Sequence, residues 1–215
     1  MHLLLINPNT REALTRQLVE RMAPMLPVPL VGSTAAFGES YIASEAAYVV
    51  GAHAVLDAWH RHVAEHGRPA AVLVACFGDP GVWALREVAE VPVIGLAEAA
   101  MREAQGHGPF GIVTGGAAWG PMLQRLARGL GIAQLRAVNT VALSGDQLMA
   151  DPAQGVALLQ QAVDGAGSGE DVRAIVLGGA ALGGFAAQLR VRDGCMLIDS
   201  VEAGLRWLGS VAQHS

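Results

Sequence analysis

A cysteine stands between an apolar run and a glycine-containing turn in VLVACFGDPG, residues 72–81. The run Ala71–Ala75 predicts a buried strand, so Cys76 lies where that strand ends. Gly78 allows the backbone to come close to a ligand, and the amides of the turn and of the next helix favour an anion and lower a thiol pKa. Cys76 is therefore a candidate proton carrier, although a free cysteine is also an ordinary buried residue.

Two other groups invite a chemical interpretation of the same kind. Asp79 follows the cysteine closely, and we expect it to cap the next helix rather than to act in catalysis, with the catalytic role as the alternative. Cys195, the other cysteine, precedes the apolar segment MLIDS and is predicted to lie at the far end of that strand as a small buried residue.

Four histidines fall within one predicted helix over residues 44–67. A helical metal site needs histidines on one face with a carboxylate nearby, and this spacing does not supply that arrangement. We therefore predict a solvated polar face for His53, His60, His62 and His66.

The elements around the cysteine alternate between short apolar runs and helical stretches, which predicts a doubly wound α/β fold with parallel strands. The second half repeats the first in order and spacing: LLLINPNT matches FGIVTGGAAW, AVLVACFGDPG matches AIVLGGAALGG, and PVIGLAEAAM matches MLIDSVEAGL. We expect two pseudosymmetric lobes, residues 1–100 and 101–215, with a boundary helix free to cross over. The active site is expected in the cleft between them, beyond the carboxyl ends of the strands.

Composition narrows the functional class. Hydrophobic residues make up 52% and charged residues 15%, which excludes a disordered chain, and the net charge of −5 argues against a nucleic-acid partner. The first apolar run is too short for a signal peptide or membrane span, and two cysteines give no disulfide framework, so a cytoplasmic location is expected. We separately expect a homo-oligomer. All 14 basic residues are arginines, so no lysine can form a Schiff base with a cofactor.

The segments INPNT, ACFGDPG, PVIGLAEAAM, GIVTGG and LIDSVEAG together resemble the aspartate/glutamate/hydantoin racemase superfamily, and its hydantoin and allantoin racemase branch most of all. The resemblance implies a cofactor-independent, metal-free enzyme acting on a small molecule. In this family two cysteines, one from each lobe, flank a carbon acidified by an adjacent carbonyl. Cys76 matches the first, whereas Gly179 stands where the second is expected.

This departure leaves three alternatives open: a racemase that recruits another acid, a single-cysteine stereospecific decarboxylase or isomerase, or a binding protein without turnover. It also predicts that a cysteine at position 179 would create or increase racemase activity. Asp199 and Ser200 are expected to begin the last helix, and Asn9 to cap the first. Besides Cys76, the candidate substrate-binding residues are Asn7, Tyr41, Ile42, Phe77, Gly78, Thr114, Gly115, Gly178, Gly179 and Ala180.

Overall fold

The computed structural model describes residues 1–213 and contains eight strands and eight α-helices within that range. The strands are β1 Leu3–Asn7, β2 Leu30–Thr34, β3 Val72–Val74, β4 Val93–Gly95, β5 Phe110–Gly115, β6 Leu135–Val141, β7 Ala174–Gly178 and β8 Met196–Asp199. The helices are α1 Glu12–Met22, α2 Glu45–His66, α3 Val82–Ala89, α4 Leu96–His107, α5 Trp119–Gly129, α6 Gly145–Ala150, α7 Pro152–Ala166 and α8 Ser200–Ala212.

The strands form two four-stranded parallel sheets, in the orders β2-β1-β3-β4 and β6-β5-β7-β8. The central strands β1, β3, β5 and β7 are buried along their whole length, as expected when helices cover both faces of a parallel sheet. Both sheets have the same strand order, so the repeat seen in the sequence is a repeat of the fold, and the predicted α/β class with two lobes is confirmed.

The chain divides into two compact units whose boundaries do not follow the repeat alone. The first unit contains Met1–Leu96 and the chain from Gly204 onward, and the second contains Ala97–Ala203. Apart from Leu96, helix α4 therefore belongs to the second unit, and most of α8 belongs to the first. A Cβ on Gly204 would lie 2.8–3.2 Å from side-chain atoms of Leu96 and Leu73, which shows how closely α8 packs on the first unit.

Several predicted boundaries differ from those observed. The apolar stretch PVPLV, residues 27–31, predicts a second strand, and the observed strand runs from Leu30 to Thr34. The first helix begins at Glu12 with Arg11 as its N-cap and no side-chain cap. Asn9 is therefore not the helix cap that its spacing predicts; its Oδ1 accepts the backbone N–H of Arg11 in the turn before the helix, at 3.0 Å.

The longest helix matches the sequence prediction. Ser44 caps α2 by accepting the N–H of Ala47, and Gly67 ends the helix with a positive φ of 77°. Among residues 1–213, no helix combines the length and the apolar character needed to cross a membrane.

Candidate active site

The turn that follows β3 carries the candidate thiol. Cys76 lies two residues beyond the strand, is 9% exposed, and accepts a hydrogen bond at its carbonyl from the N–H of Asp79, at 3.1 Å. Gly78 has a φ of 144°, and Gly81 has a φ of 79° at the N-cap of α3. Only glycine adopts such angles readily, so these two glycines shape the turn around the thiol.

Asp79 has a different structural role from the one its position predicts. Gly81, not Asp79, is the N-cap of α3, and the helix has no side-chain cap, so the predicted helix cap is wrong. Asp79 is 2% exposed and has a φ of 60°, in the left-handed region that aspartate tolerates better than most residues. A Cβ on Gly95 would lie 2.1 Å from Asp79 Cγ, so the carboxyl group lies directly against the end of β4.

The electrostatics of the thiol also differ from expectation. The turn amides and the helix N-terminus predict a lowered pKa for Cys76. Instead, burial raises the pKa of the Cys76 thiol far above its ordinary value, and the negative charge of Asp79 raises it further. Both effects favour the thiol over the thiolate.

The strand registers identify the position that corresponds to Cys76 in the second unit. Val74 pairs with Gly95 in the first sheet as Leu177 pairs with Asp199 in the second, and a helix begins directly after each partner. Two residues beyond Leu177 lies Gly179. Its carbonyl accepts the N–H of the residue three positions later, as the Cys76 carbonyl does. The structure thus supports the sequence alignment of Gly179 with Cys76.

The backbone at Gly179 is unfavourable for any residue that carries a side chain. Its backbone has φ 145° and ψ 125°, a conformation that residues with a Cβ rarely adopt. A Cβ there would lie 3.1 Å from Cγ of Leu182. The Gly179 N–H donates to Ser200 Oγ, at 3.2 Å. The backbone and its neighbours therefore oppose the cysteine that the sequence argument would introduce at this position.

A buried carboxylate lies at the same edge of the second sheet. Asp199 Oδ1 accepts the N–H groups of Val201 and Glu202 at the start of α8, as predicted for a residue that begins this helix. Its Oδ2 accepts the N–H of Gly184, at 3.1 Å, and so also holds the turn after β7.

Asn7 was expected to direct its side chain to the ligand, and in the structure this side chain lies inside the turn after β1. The residue is fully buried, and its Nδ2 donates to Asn9 Oδ1, the Arg11 carbonyl and Thr15 Oγ1 at 2.9–3.2 Å. Its Oδ1 accepts the N–H of Asn9. These contacts hold the amide inside the turn after β1, and a contact of Asn7 with a substrate stays a prediction.

The remaining candidates separate into buried and accessible residues. Ile42 packs against Gly51 of α2, where its Cδ1 lies 2.7 Å from the position of a Cβ, so it anchors the preceding segment in the core. Phe77 and Thr114 are also buried, whereas Tyr41 is half-buried.

In the second unit, a Cβ on Gly115 would lie 2.7 Å from the Leu143 carbonyl oxygen, so this glycine permits close backbone packing. Gly178 ends β7 and is buried, and Ala180 is half-buried at the start of a short 3-10 helix. These two residues directly precede and follow Gly179.

Cys195 lies immediately before β8, at the end of the strand opposite to the turns described above, as the sequence predicts. It is half-buried rather than fully buried, and it packs against the core of the second unit. Its position excludes it as the missing partner of Cys76 at the carboxyl end of the second sheet.

Three of the four histidines, His53, His60 and His66, are exposed as predicted, and His62 is the exception. His62 is 4% exposed, its Nε2 lies 2.8 Å from Nε2 of His2, and its ring stacks on that of His66 with centroids 4.9 Å apart. Burial, together with the neighbouring His2 and His66, lowers the pKa of His62 to about 4. Within the described chain no group of three or more histidine, cysteine or acidic residues could hold a metal ion.

Two residues around the thiol were missed by the sequence analysis. Tyr48 of α2 donates its hydroxyl to the backbone carbonyl of Asp79, at 3.4 Å, and Gly95 provides the space that the Asp79 carboxyl fills. A glycine at the end of a buried strand was the available signal for Gly95, because such a glycine often marks a close approach of another group. No local pattern identifies Tyr48.

Known proteins resemble the chain along almost its whole length. A family model described as Asp/Glu/Hydantoin racemase matches residues 3–208. A hydantoin racemase from Paenarthrobacter aurescens is 31% identical, with 96% of this chain and 89% of that protein covered. A hydantoin racemase from Rhizobium meliloti is 32% identical, with 96% and 86% covered.

The fold comparison gives the same result. The crystal structure of an allantoin racemase from Pseudomonas fluorescens matches with a TM-score of 0.90 and 25% identity, covering 100% of this chain and 92% of that one. The family match, the sequence relatives and the fold agree. The chain belongs to the Asp/Glu/hydantoin racemase family, in its hydantoin racemase-like branch, and is an enzyme of the racemase class of isomerases.

Proposed function

We propose that the protein moves a proton at a carbon acid next to a carbonyl group in a small molecule of the hydantoin or allantoin class, with Cys76 as the proton carrier. The observation that carries this proposal is the position of Cys76 in a glycine-shaped turn at the carboxyl end of β3, where parallel sheets bind their ligands. The printed functions of the relatives, hydantoin racemase and allantoin racemase, supply the substrate class.

The proton transfer at Cys76 is a single reversible step. The Cys76 thiol donates its proton to the planar, enolate-like carbon and becomes a thiolate, while the carbon gains a C–H bond. In the reverse direction the thiolate removes that proton, and the electron pair of the C–H bond passes into the enolate. A thiol whose pKa is raised by burial gives a strongly basic thiolate, which suits the removal of a weakly acidic proton from carbon.

A second candidate function is supported by Gly179. Because this residue corresponds to Cys76 but carries no side chain, and because its backbone disfavours one, Cys76 is the only thiol supplied at equivalent positions. An enzyme that acts on one face of the carbon, as a stereospecific isomerase or decarboxylase does, fits this asymmetry. A racemase needs another group for the second face.

The test is proton exchange in heavy water with single enantiomers of 5-substituted hydantoins and of allantoin. Allantoin and hydantoins racemise spontaneously, so rates are compared with the reaction without enzyme. We expect the protein to exchange the α-proton of at least one enantiomer, and Cys76→Ser to reduce that exchange by about 10²–10⁴-fold, because a hydroxyl is a much weaker acid than a thiol. Cys195→Ser is the matched control and should retain the rate.

The outcomes separate the candidates. Chiral chromatography that shows rapid interconversion of both enantiomers supports the racemase, and exchange without inversion supports the one-faced enzyme. Equal exchange by wild type and Cys76→Ser would contradict Cys76 as the proton carrier. The absence of exchange in every substrate would contradict the proposed reaction.

A further inference from the structure

We propose that His2 and His62 form an acid-sensitive contact between the residue before β1 and the last turns of α2. The contact is one hydrogen bond between two imidazole rings, and acid breaks it by protonating both rings. It lies within the first unit, and its behaviour does not depend on the proposed proton transfer at Cys76.

The geometry of the contact sets a condition on the protons of the two rings. Nε2 of His2 lies 2.8 Å from Nε2 of His62, and the ring centroids are 5.0 Å apart. At this distance one nitrogen must donate its N–H and the other must accept through its lone pair. An imidazolium carries a proton on both nitrogens and cannot accept. At least one of the two rings is therefore neutral whenever the contact exists.

The immediate surroundings of His62 oppose a positive charge on its ring. The residue is 4% exposed, and its ring stacks on that of His66 with an angle of 10° between the two planes. His66 has a carboxylate of its own, since Glu65 Oε2 lies 3.8 Å from its Nδ1. His62 instead has two imidazoles beside it. Burial, His2 and His66 together lower the pKa of His62, against the opposing effect of Glu65.

A cavity of about 540 Å³ beside His62 contains the charged groups of the neighbouring elements. Arg61 of α2 lines this cavity and pairs with Asp57. The lining residues of β2, 31–34, are uncharged. Helix α1 contributes one basic and two acidic side chains: Arg16, Glu12 and Glu20. The charges that shift the pKa of His62 belong instead to its two histidine neighbours and to Glu65.

The charged groups of α3 and of the start of the chain complete the surroundings. On α3, which packs on α2, Arg86 donates to the Val93 carbonyl, Glu90 pairs with Arg68, and Glu87 is exposed. The pKa of His2 is lowered by burial first, and then by the positive amino group of Met1 and by His66. The surroundings of both rings therefore disfavour the state in which both are charged.

The proton balance gives the sign of the pH effect. The unfolded chain binds a proton at residue 62 near the ordinary histidine pKa of about 6.5, whereas the folded chain binds it only at about pH 4. Between these two values the unfolded state holds more protons, so the equilibrium constant for unfolding rises by up to about tenfold for each unit by which the pH falls. The contact thus stabilises the first unit fully above about pH 6.5, and this stabilisation is lost as the pH falls toward 4.

The experiment combines nuclear magnetic resonance of the imidazole rings with urea unfolding between about pH 4.5 and 7.5. The ring ¹⁵N shifts of the wild-type protein report which nitrogen of each histidine carries a proton, and they are followed against pH. The test variant for unfolding is His62→Gln, which keeps a polar side chain but does not titrate. The matched control is His60→Gln, which removes an exposed histidine from the same helix.

We expect Nε2 to be protonated in one of the two rings and unprotonated in the other at about pH 7.5, because only this combination makes the hydrogen bond. His62 should titrate at least about one unit below His60. Between about pH 6 and 5, the unfolding constant of wild type should rise about five- to tenfold more than that of His62→Gln. His60→Gln should follow wild type.

Four results would overturn the proposal: Nε2 protonated in both rings at about pH 7.5, a His62 ring that titrates together with that of His60, the same pH dependence of unfolding in wild type and His62→Gln, or an equal change in His60→Gln. The first two are measured on wild type, so they decide the question even if His62→Gln does not fold. Both measurements need no turnover, so an inactive protein would leave their interpretation unchanged and would contradict only the proposed function.

Discussion

The turn after β3 and the turn after β7 occupy corresponding positions in two copies of one fold. The buried carboxylate beside each turn, however, comes from a different element. In the first unit the carboxylate belongs to the turn, at Asp79, and it lies against Gly95 at the end of β4. In the second unit the carboxylate belongs to the strand, at Asp199, and the turn has Leu182 at the position that corresponds to Asp79.

The two buried carboxylates also differ in the groups that surround them. Asp199 accepts three backbone N–H groups and thereby joins the turn to the start of α8, which is a structural task. Asp79 lies beside a thiol and raises its pKa. The two turns share a backbone hydrogen bond but differ in their side chains: the first carries the candidate thiol, and the second is held by a carboxylate that accepts backbone N–H groups.

The largest expected effect follows from filling the space at Gly95. Gly95→Ala should lower the free energy of unfolding by about 3 kcal/mol, at the upper end of overpacking, because its Cβ would overlap the Asp79 carboxyl. Urea unfolding followed by circular dichroism measures the change. In an Asp79→Gly background the same substitution should cost less than about 1 kcal/mol, since the three atoms nearest to this Cβ all belong to the Asp79 side chain. An equal loss of unfolding free energy in both backgrounds would contradict the idea that Gly95 makes room for the Asp79 side chain.

A smaller effect is expected at Gly179. Gly179→Ala should lower the free energy of unfolding by about 1–2 kcal/mol, because its φ of 145° is strained for alanine and Leu182 lies close. Gly106→Ala in α4 is the control and should be neutral or stabilising, since nothing lies within 4 Å of its Cβ position.

The same backbone strain is expected when the residue introduced at position 179 is a cysteine. Gly179→Cys should be destabilised to a similar degree as Gly179→Ala and should not, on its own, add exchange on a second face of the substrate carbon. A stable Gly179→Cys protein that racemises faster than wild type would show that the two turns are more alike than their backbones indicate.

The smallest effect concerns the helix start beside each turn. Ser200 accepts the N–H of Gly179, whereas its counterpart Leu96 begins α4 without a polar side chain. Ser200→Ala should cost about 1 kcal/mol, the usual contribution of one hydrogen bond, as measured by urea unfolding. Ser210→Ala, an exposed change in the same helix, should lie within about 0.5 kcal/mol of wild type.

The sequence predicts the parts of this comparison that depend on local pattern. Apolar runs and turn residues identify the parallel strands, the repeat and the position of Cys76. The orientation of Asp79 was not predictable, because a local rule assigns an aspartate before a helix to capping, whereas its carboxyl lies against a glycine sixteen residues later. The burial of His62 was missed for the same reason, since its contact with His2 joins residues sixty positions apart.

The close packing of Gly204 against Leu73 and Leu96 has a consequence for how the chain is made. During synthesis, β1 to β4 leave the ribosome long before α8, yet the part of α8 from Gly204 onward belongs to the first unit. The second unit, Ala97–Ala203, is complete in sequence before the first one is. The apolar side chain of Leu73 that Gly204 covers is therefore without this neighbour until α8 has been made.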